Sequence, residues 1–156
     1  MKKQCVIVGL GRYGTHIART LADSGVEVLA IDNDMKVVER VSSFVTKAIC
    51  MDVTSEEAWE RLLLKNFDVG VVCFGENITA SILSCMALQD AGVKYIIAKA
   101  GDKFHKKILN KLNIDEVVIP EEYVGEMTAK KILNQWGRSF LATFTDKKLC
   151  QNGGDR

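Results

Sequence analysis

A short apolar run, Cys5-Val6-Ile7-Val8, passes without interruption into Gly9-Leu10-Gly11-Arg12-Tyr13-Gly14, a G-x-G-x-x-G turn. A chain written this way has few options at that point. The run is too short for a helix and reads as a buried strand, and the glycines mark an abrupt change of direction into a helix. In such an element Gly9 makes the tight turn, Gly11 lets the backbone come close to a pyrophosphate, and Gly14 lets helix and strand pack closely. The helix N-terminus then faces the phosphates with unsatisfied N–H groups. A second apolar run, Val26-Glu27-Val28-Leu29-Ala30-Ile31, ends in Asp32, the acid expected about 20 residues on to accept the ribose hydroxyls. Strand, turn, helix and acid together predict an adenine-nucleotide site.

The rest of the chain repeats the alternation. Strands are expected at 4–8, 27–31, 46–50, 68–74, 95–98 and 116–119, and helices at 12–24, 34–42, 55–64, 77–91, 103–112 and 121–136. Val/Ile-rich strands separated by helices imply a parallel sheet covered on both faces. Six of them in two halves give an α/β, Rossmann-like doubly wound sheet, order 3-2-1-4-5-6. Gly25 and Gly92 stand where helix C-caps are expected. Thr54, three residues before Glu57, is a capping-box candidate, and Pro120, the only proline, opens the last helix.

Around the turn, Arg12 occupies the first x of G-x-x-G. It is either a solvated arginine or a guanidinium reaching terminal phosphates. Lys99 closes the fifth strand on the carboxyl side of the sheet, where ligands bind, and adds a second positive charge. Both favour ATP or ADP over a dinucleotide, with NAD(H) or AMP as alternatives. The Asp32 carboxylate disfavours a 2′-phosphate; Asn33 follows it in the same loop, and Asp34 caps the next helix or serves as a substitute acceptor. Asp52 and Val53, after the third strand, form a plain turn or touch adenine. Gly75, after the fourth strand, permits close approach, and Asn77 caps the following helix or contacts ligand.

No catalytic residue is assigned. Tyr95 and Lys99 have a Tyr-x-x-x-Lys spacing, but along a strand they lie about 13 Å apart and cannot share a proton. His16 and His105 lack a metal-ligand constellation. The five cysteines, at 5, 50, 73, 85 and 150, show no C-x-x-C pair and fit a reducing, cytoplasmic setting. A net charge of +1 without a basic stripe gives no reason to expect a nucleic-acid partner. Lys106-Lys107 and Lys130-Lys131 read as solvated helix faces. No apolar run approaches the ~20 residues of a membrane span, and Met1-Lys2-Lys3 leads straight into the first strand, with no signal peptide expected.

These residues, in this order, resemble the RCK domain, also called TrkA-N or KTN, over about residues 4–136. The carriers are Val8-Gly9-Leu10-Gly11-Arg12-Tyr13-Gly14, Ile31-Asp32, Asp52-Val53-Thr54, Gly75-Glu76-Asn77-Ile78, Ala98-Lys99-Ala100 and Val117-Val118-Ile119-Pro120-Glu121. Met51 departs from the glycine that often precedes the acid there. The resemblance, closest to the gating subunits of Ktr/Trk-type potassium uptake systems, implies a non-enzymatic nucleotide-binding domain over 1–136 with a C-terminal crossover helix. It also implies a homo-oligomer, a dimer and an octameric ring, beneath a membrane potassium translocator. That places the chain in the cytoplasm, held peripherally at the inner face of the membrane by its partner. Within it, Tyr13 belongs to the nucleotide site and Glu121 becomes a candidate cation ligand, as against a plain first-turn glutamate. Residues 137–150 are then a crossover or hinge toward a partner subunit or a C-terminal lobe. The apolar Tyr123, Val124, Met127, Leu133 and Trp136, with Phe140 to Phe144, are expected to dock on a second subunit or cap the core locally. Residues 151–156 are expected to be a disordered tail.

Overall fold

The computed structural model describes residues 2–153, with side chains described as far as residue 137. It forms two units, Met1–Ile119 and Pro120–Arg156. The first alternates strand and helix throughout: β1 Gln4–Val8, α1 Arg12–Asp23, β2 Glu27–Asp32, α2 Met35–Ser42, β3 Lys47–Cys50 and α3 Glu56–Glu60. It continues with β4 Val69–Val72, α4 Ile78–Asp90, β5 Tyr95–Lys99, α5 Lys103–Lys111 and β6 Glu116–Val118.

The six strands form one parallel sheet in the order β3-β2-β1-β4-β5-β6, as the alternation predicted. Central β1 shows why its sequence is apolar at every position. Val6 and Val8 pack into the core on one face, beside Leu29 and Ile31, while Cys5 and Ile7 pack on the other, beside Val28 and Ala30. Successive side chains point to opposite faces, and here both faces are covered. Ala18 of α1 and Val41 of α2 close one side; Trp59, Leu88 and Leu109 of α3, α4 and α5 close the other.

Two local expectations change. The helix expected over 55–64 stops at Glu60. Beyond it Leu62 and Leu64 turn inward while Leu63 is 94 % exposed, an alternation no helix allows, and the chain turns again at the Phe67 N–H to Leu64 carbonyl bond. The cap of α3 is Ser55, whose hydroxyl accepts from the Ala58 N–H at 3.3 Å, and not Thr54. Thr54 is engaged by Asp52, which accepts from both its N–H (2.9 Å) and its hydroxyl (2.7 Å).

The second unit is α6, Pro120–Gly153, opened by the proline and interrupted by Gly137, at φ 78° and ψ −179°. Only glycine adopts such a conformation readily, so the helix is two helical pieces joined at that residue. The tail expected from 151 therefore starts within helix, and residues 154–156 lie outside the described residues, as do the side chains of Phe140 to Phe144. No described helix is long and apolar enough to cross a membrane.

Candidate functional site at the carboxyl edge of the sheet

In a parallel sheet every strand ends at the same edge. Val8, Asp32, Cys50, Val72 and Lys99 therefore open their loops side by side, with Val8 paired to both Ile31 and Val72. The glycine turn sits at the centre of that edge, between β2 and β4, where the strand order reverses.

Each motif glycine has a different reason to be there. Gly9 has φ +94° and donates its N–H to the Ile31 carbonyl at 2.9 Å; a Cβ there would lie 3.3 Å from the Phe74 ring. A Cβ on Gly14 would overlap the Gly9 carbonyl oxygen, so helix α1 rests directly on the turn. Gly11 is different. Its φ is −70°, any Cβ would meet nothing within 4 Å, and no protein atom demands glycine there. It is the N-cap of α1 yet supplies no capping side chain, and the first turn carries no acid. The N–H end of α1 is thus an exposed positive pole with open space above it.

Asp32 organises this turn. One carboxylate oxygen accepts from the Leu10 N–H at 2.8 Å and the other from the Asp34 N–H at 2.9 Å, which ties β2 to the loop above β1. Asp34 caps α2 through the Lys36 N–H, one of the two roles weighed for it. Asn33 is exposed, and its carbonyl lies 3.4 Å from the Cys50 sulfur. Asp52 is exposed at the neighbouring edge, and the two bonds from Thr54 hold its carboxyl below the usual carboxylate range. Val53 is 5 % exposed, its side chain in the core and its carbonyl taken by the Trp59 indole N–H at 2.7 Å. Any ligand contact from Val53 is therefore confined to backbone.

Across the switch point, Lys99 lies over Gly75: a Cβ on Gly75 would stand 3.1 Å from its Cε. The ammonium ends 5.6 Å from the centroid of the half-buried Tyr13 ring, within cation–π range. The structure thus joins Tyr13, Gly75 and Lys99 in one patch. Burial raises the Tyr13 phenol above its ordinary value, so the ring faces Lys99 as a neutral phenol. Cys73, next to the turn, is pushed up to about 12 by burial, against the opposing pull of Lys99, and stays a thiol. Asn77 caps α4, accepting from the Ala80 N–H at 3.0 Å. Arg12 is exposed on the first turn of α1, its side chain without a hydrogen bond or ion pair among the described residues. Glu121 lies in the other unit, exposed on the first turn of α6 beside Glu122. Among the described residues no three His, Cys, Asp or Glu side chains gather as a metal site.

Sequence reasoning missed one cluster. Buried His105 bonds Ser81 of α4 and the Gly101 backbone, next to Gly75. Its trace in the sequence is Asp102, three residues ahead, which caps α5 by accepting the His105 N–H at 2.8 Å.

The fold and the glycine turn define a Rossmann-type nucleotide-binding domain. More narrowly, residues 5–120 match the TrkA-N domain, and the chain belongs to that family. It is 39 % identical over 151 residues to Ktr system potassium uptake protein C of Bacillus subtilis (strain 168), covering 97 % of this chain and 68 % of that protein. It is 36 % identical over 133 residues to Ktr system potassium uptake protein A of Vibrio alginolyticus, covering 85 % of this chain and 60 % of that one. The chain thus spans about two thirds of the length of these relatives. Among solved structures, the NAD(P)-binding domain of an exopolyphosphatase-related protein from Archaeoglobus fulgidus superposes with a TM-score of 0.73 at 20 % identity, covering 85 % of this chain and 99 % of that one.

Proposed function

We propose that this chain is the nucleotide-sensing domain of a potassium uptake system, and that it gates a membrane translocator by changing shape without performing chemistry. The observation that carries the reading is the start of α1: among the described residues, an open, uncapped helix N-terminus beneath a glycine that no protein atom requires, flanked by an Arg12 side chain without a partner. A terminal phosphate supplies both the missing cap and the missing counter-ion. Lys99 brings a second cation from the far side of the switch point. Asp32 faces the ribose with negative charge and disfavours a 2′-phosphate. ATP or ADP is the ligand of first choice, NAD(H) or AMP the alternative. The names of the Ktr relatives support potassium as the transported ion and a membrane protein as the partner.

A difference in γ-phosphate contacts gives ATP and ADP different binding energies in two conformations, and that difference sets the largest shift a ligand can impose. The cytoplasm is the compartment where both nucleotides and such a translocator face are present. The exposed Tyr123, Val124, Met127 and Ile132 of α6 suit a homo-oligomer, a dimer or a ring, with 137–150 as the segment leading to it. A cation at Glu121 belongs to that assembled form, where a second copy adds donors.

An oxidoreductase fragment or an NAD(H)-sensing module is the second reading, favoured by the NAD(P)-binding structural neighbour. Against the enzyme, the thiol nearest the turn is held protonated and the nearby buried histidine has both ring nitrogens engaged. Calorimetric titration with ATP, ADP, NAD+ and NADH, repeated on Arg12→Ala, separates the readings. The sensor reading expects ATP or ADP to bind, and roughly tenfold more weakly to the variant, the loss of one charge-assisted contact. Tight NADH binding, no ATP binding and an indifferent variant would overturn it.

A further inference from the structure

The β4–α4 and β5–α5 loops touch backbone to backbone. A Cβ on Gly101 would overlap the Gly75 carbonyl oxygen and stand 2.9 Å from its carbon, so only glycine fits at the crossing. What holds Gly101 in place is His105. The Gly101 N–H donates to the imidazole Nδ1 at 3.1 Å, and Nε2 meets the Ser81 hydroxyl at 2.8 Å. Because Nδ1 accepts, the neutral ring carries its proton on Nε2 and Ser81 receives it. The ring is 1 % exposed, so these two bonds also satisfy its polar atoms where water does not reach. Burial lowers the imidazole pKa against the opposing pull of the Asp102 carboxylate, which favours the neutral form that can accept from Gly101.

We infer that His105 is a positioning residue for the nucleotide pocket: by pinning Gly101 against Gly75 it fixes the channel along which Lys99 reaches toward Tyr13 and the phosphates. This rests on the nucleotide reading above. The linkage is short. Lys99 ends β5 two residues before Gly101, and its Cε lies against Gly75, the residue Gly101 abuts. Releasing Gly101 loosens both walls of the path taken by the ammonium, without removing any group that touches ligand.

The test is ADP titration of the chain, of His105→Asn and of His105→Leu. Asparagine keeps an acceptor near the Nδ1 position; leucine has similar size and none. The leucine variant is expected to bind ADP roughly tenfold more weakly, the effect of one lost buried hydrogen bond, and asparagine within about threefold of the parent. Leucine binding as tightly as the parent, or asparagine as poorly as leucine, overturns the inference. A measurement on the unmodified chain guards against misfolded variants. Imidazole 15N resonances at neutral pH should show Nδ1 unprotonated, and exchange of the Gly101 amide should slow when ADP is added. A proton on Nδ1, or Gly101 exchange indifferent to ADP, also overturns it. A parent chain that binds none of the four nucleotides sinks the nucleotide reading itself; parent-like binding by the leucine variant sinks this inference alone.

Discussion

Helix α1 and the helices α2 to α5 begin in opposite ways. Asp34, Ser55, Asn77 and Asp102 each turn a side-chain oxygen back onto an N–H of the first turn, and so close their own helix starts. Gly11 offers nothing, and no acid follows it. Capping is worth about 1 kcal/mol per helix, so α2 to α5 start with a local stabilisation that α1 forgoes. Among α1 to α5, the one helix start left open is also the one wedged against the switch point by Gly9 and Gly14. Under the proposed function, the contrast separates residues that serve the fold from residues that serve a ligand, within a single recurring motif of structure.

Substitution at the two later motif glycines puts that contrast under the greatest strain. Gly14→Ala forces a Cβ into the Gly9 carbonyl and should cost at least about 3 kcal/mol of stability, or abolish folding, as read by denaturant unfolding. Gly11→Ala meets open space and should cost below about 1 kcal/mol, while weakening nucleotide binding roughly tenfold. Were the two variants equally destabilised, Gly11 would be a structural glycine and the open helix start would lose its meaning. Asn77→Ala tests the capped side. It should lose about 1 kcal/mol in thermal unfolding and leave ADP affinity unchanged. A selective loss of affinity would move Asn77 from cap to ligand contact.

A smaller effect concerns acid. His105 has its pKa lowered from 6.5 in the fold, so the unfolded chain takes up a proton first. Its contribution is fully present above pH 6.5 and is lost as pH falls below that value through the folded pKa. The melting temperature should therefore drop across mildly acidic pH, before carboxylates such as Asp68 and Asp52, themselves held low in the fold, begin to protonate. His105→Asn should flatten that part of the profile.

Much of this was legible in the sequence because parallel strands buried on both faces leave so little freedom. Cys5 to Val8 and Val28 to Ile31 are apolar at every position, as strands covered on both faces must be, and the strand order followed from reading six such strands as the two halves of a Rossmann sheet. The turn at the candidate site was legible in Gly9, Gly14 and Asp32 for a related reason: a fixed turn demands fixed residue types. What stayed hidden depends on contacts between segments distant in the chain. His105 is 24 residues from Ser81, and nothing local marks it as buried and doubly bonded. The early end of α3 was obscured because Leu62, Leu63 and Leu64 satisfy a helical pattern as readily as the in-out-in turn they adopt. Thr54 and Ser55 are both good caps, and the choice between them fell to Asp52, which already holds Thr54.

Asp32 carries a consequence of its own. The two backbone bonds that it accepts make it a fastener for the loop above β1, as well as the group that faces the ribose in the proposed nucleotide complex. In that complex selectivity and scaffold would rest on one carboxylate. A single exchange at this position, made to admit a 2′-phosphate, would also unfasten the glycine turn. Any exchange of this residue therefore leaves the Leu10 and Asp34 N–H groups in need of other acceptors.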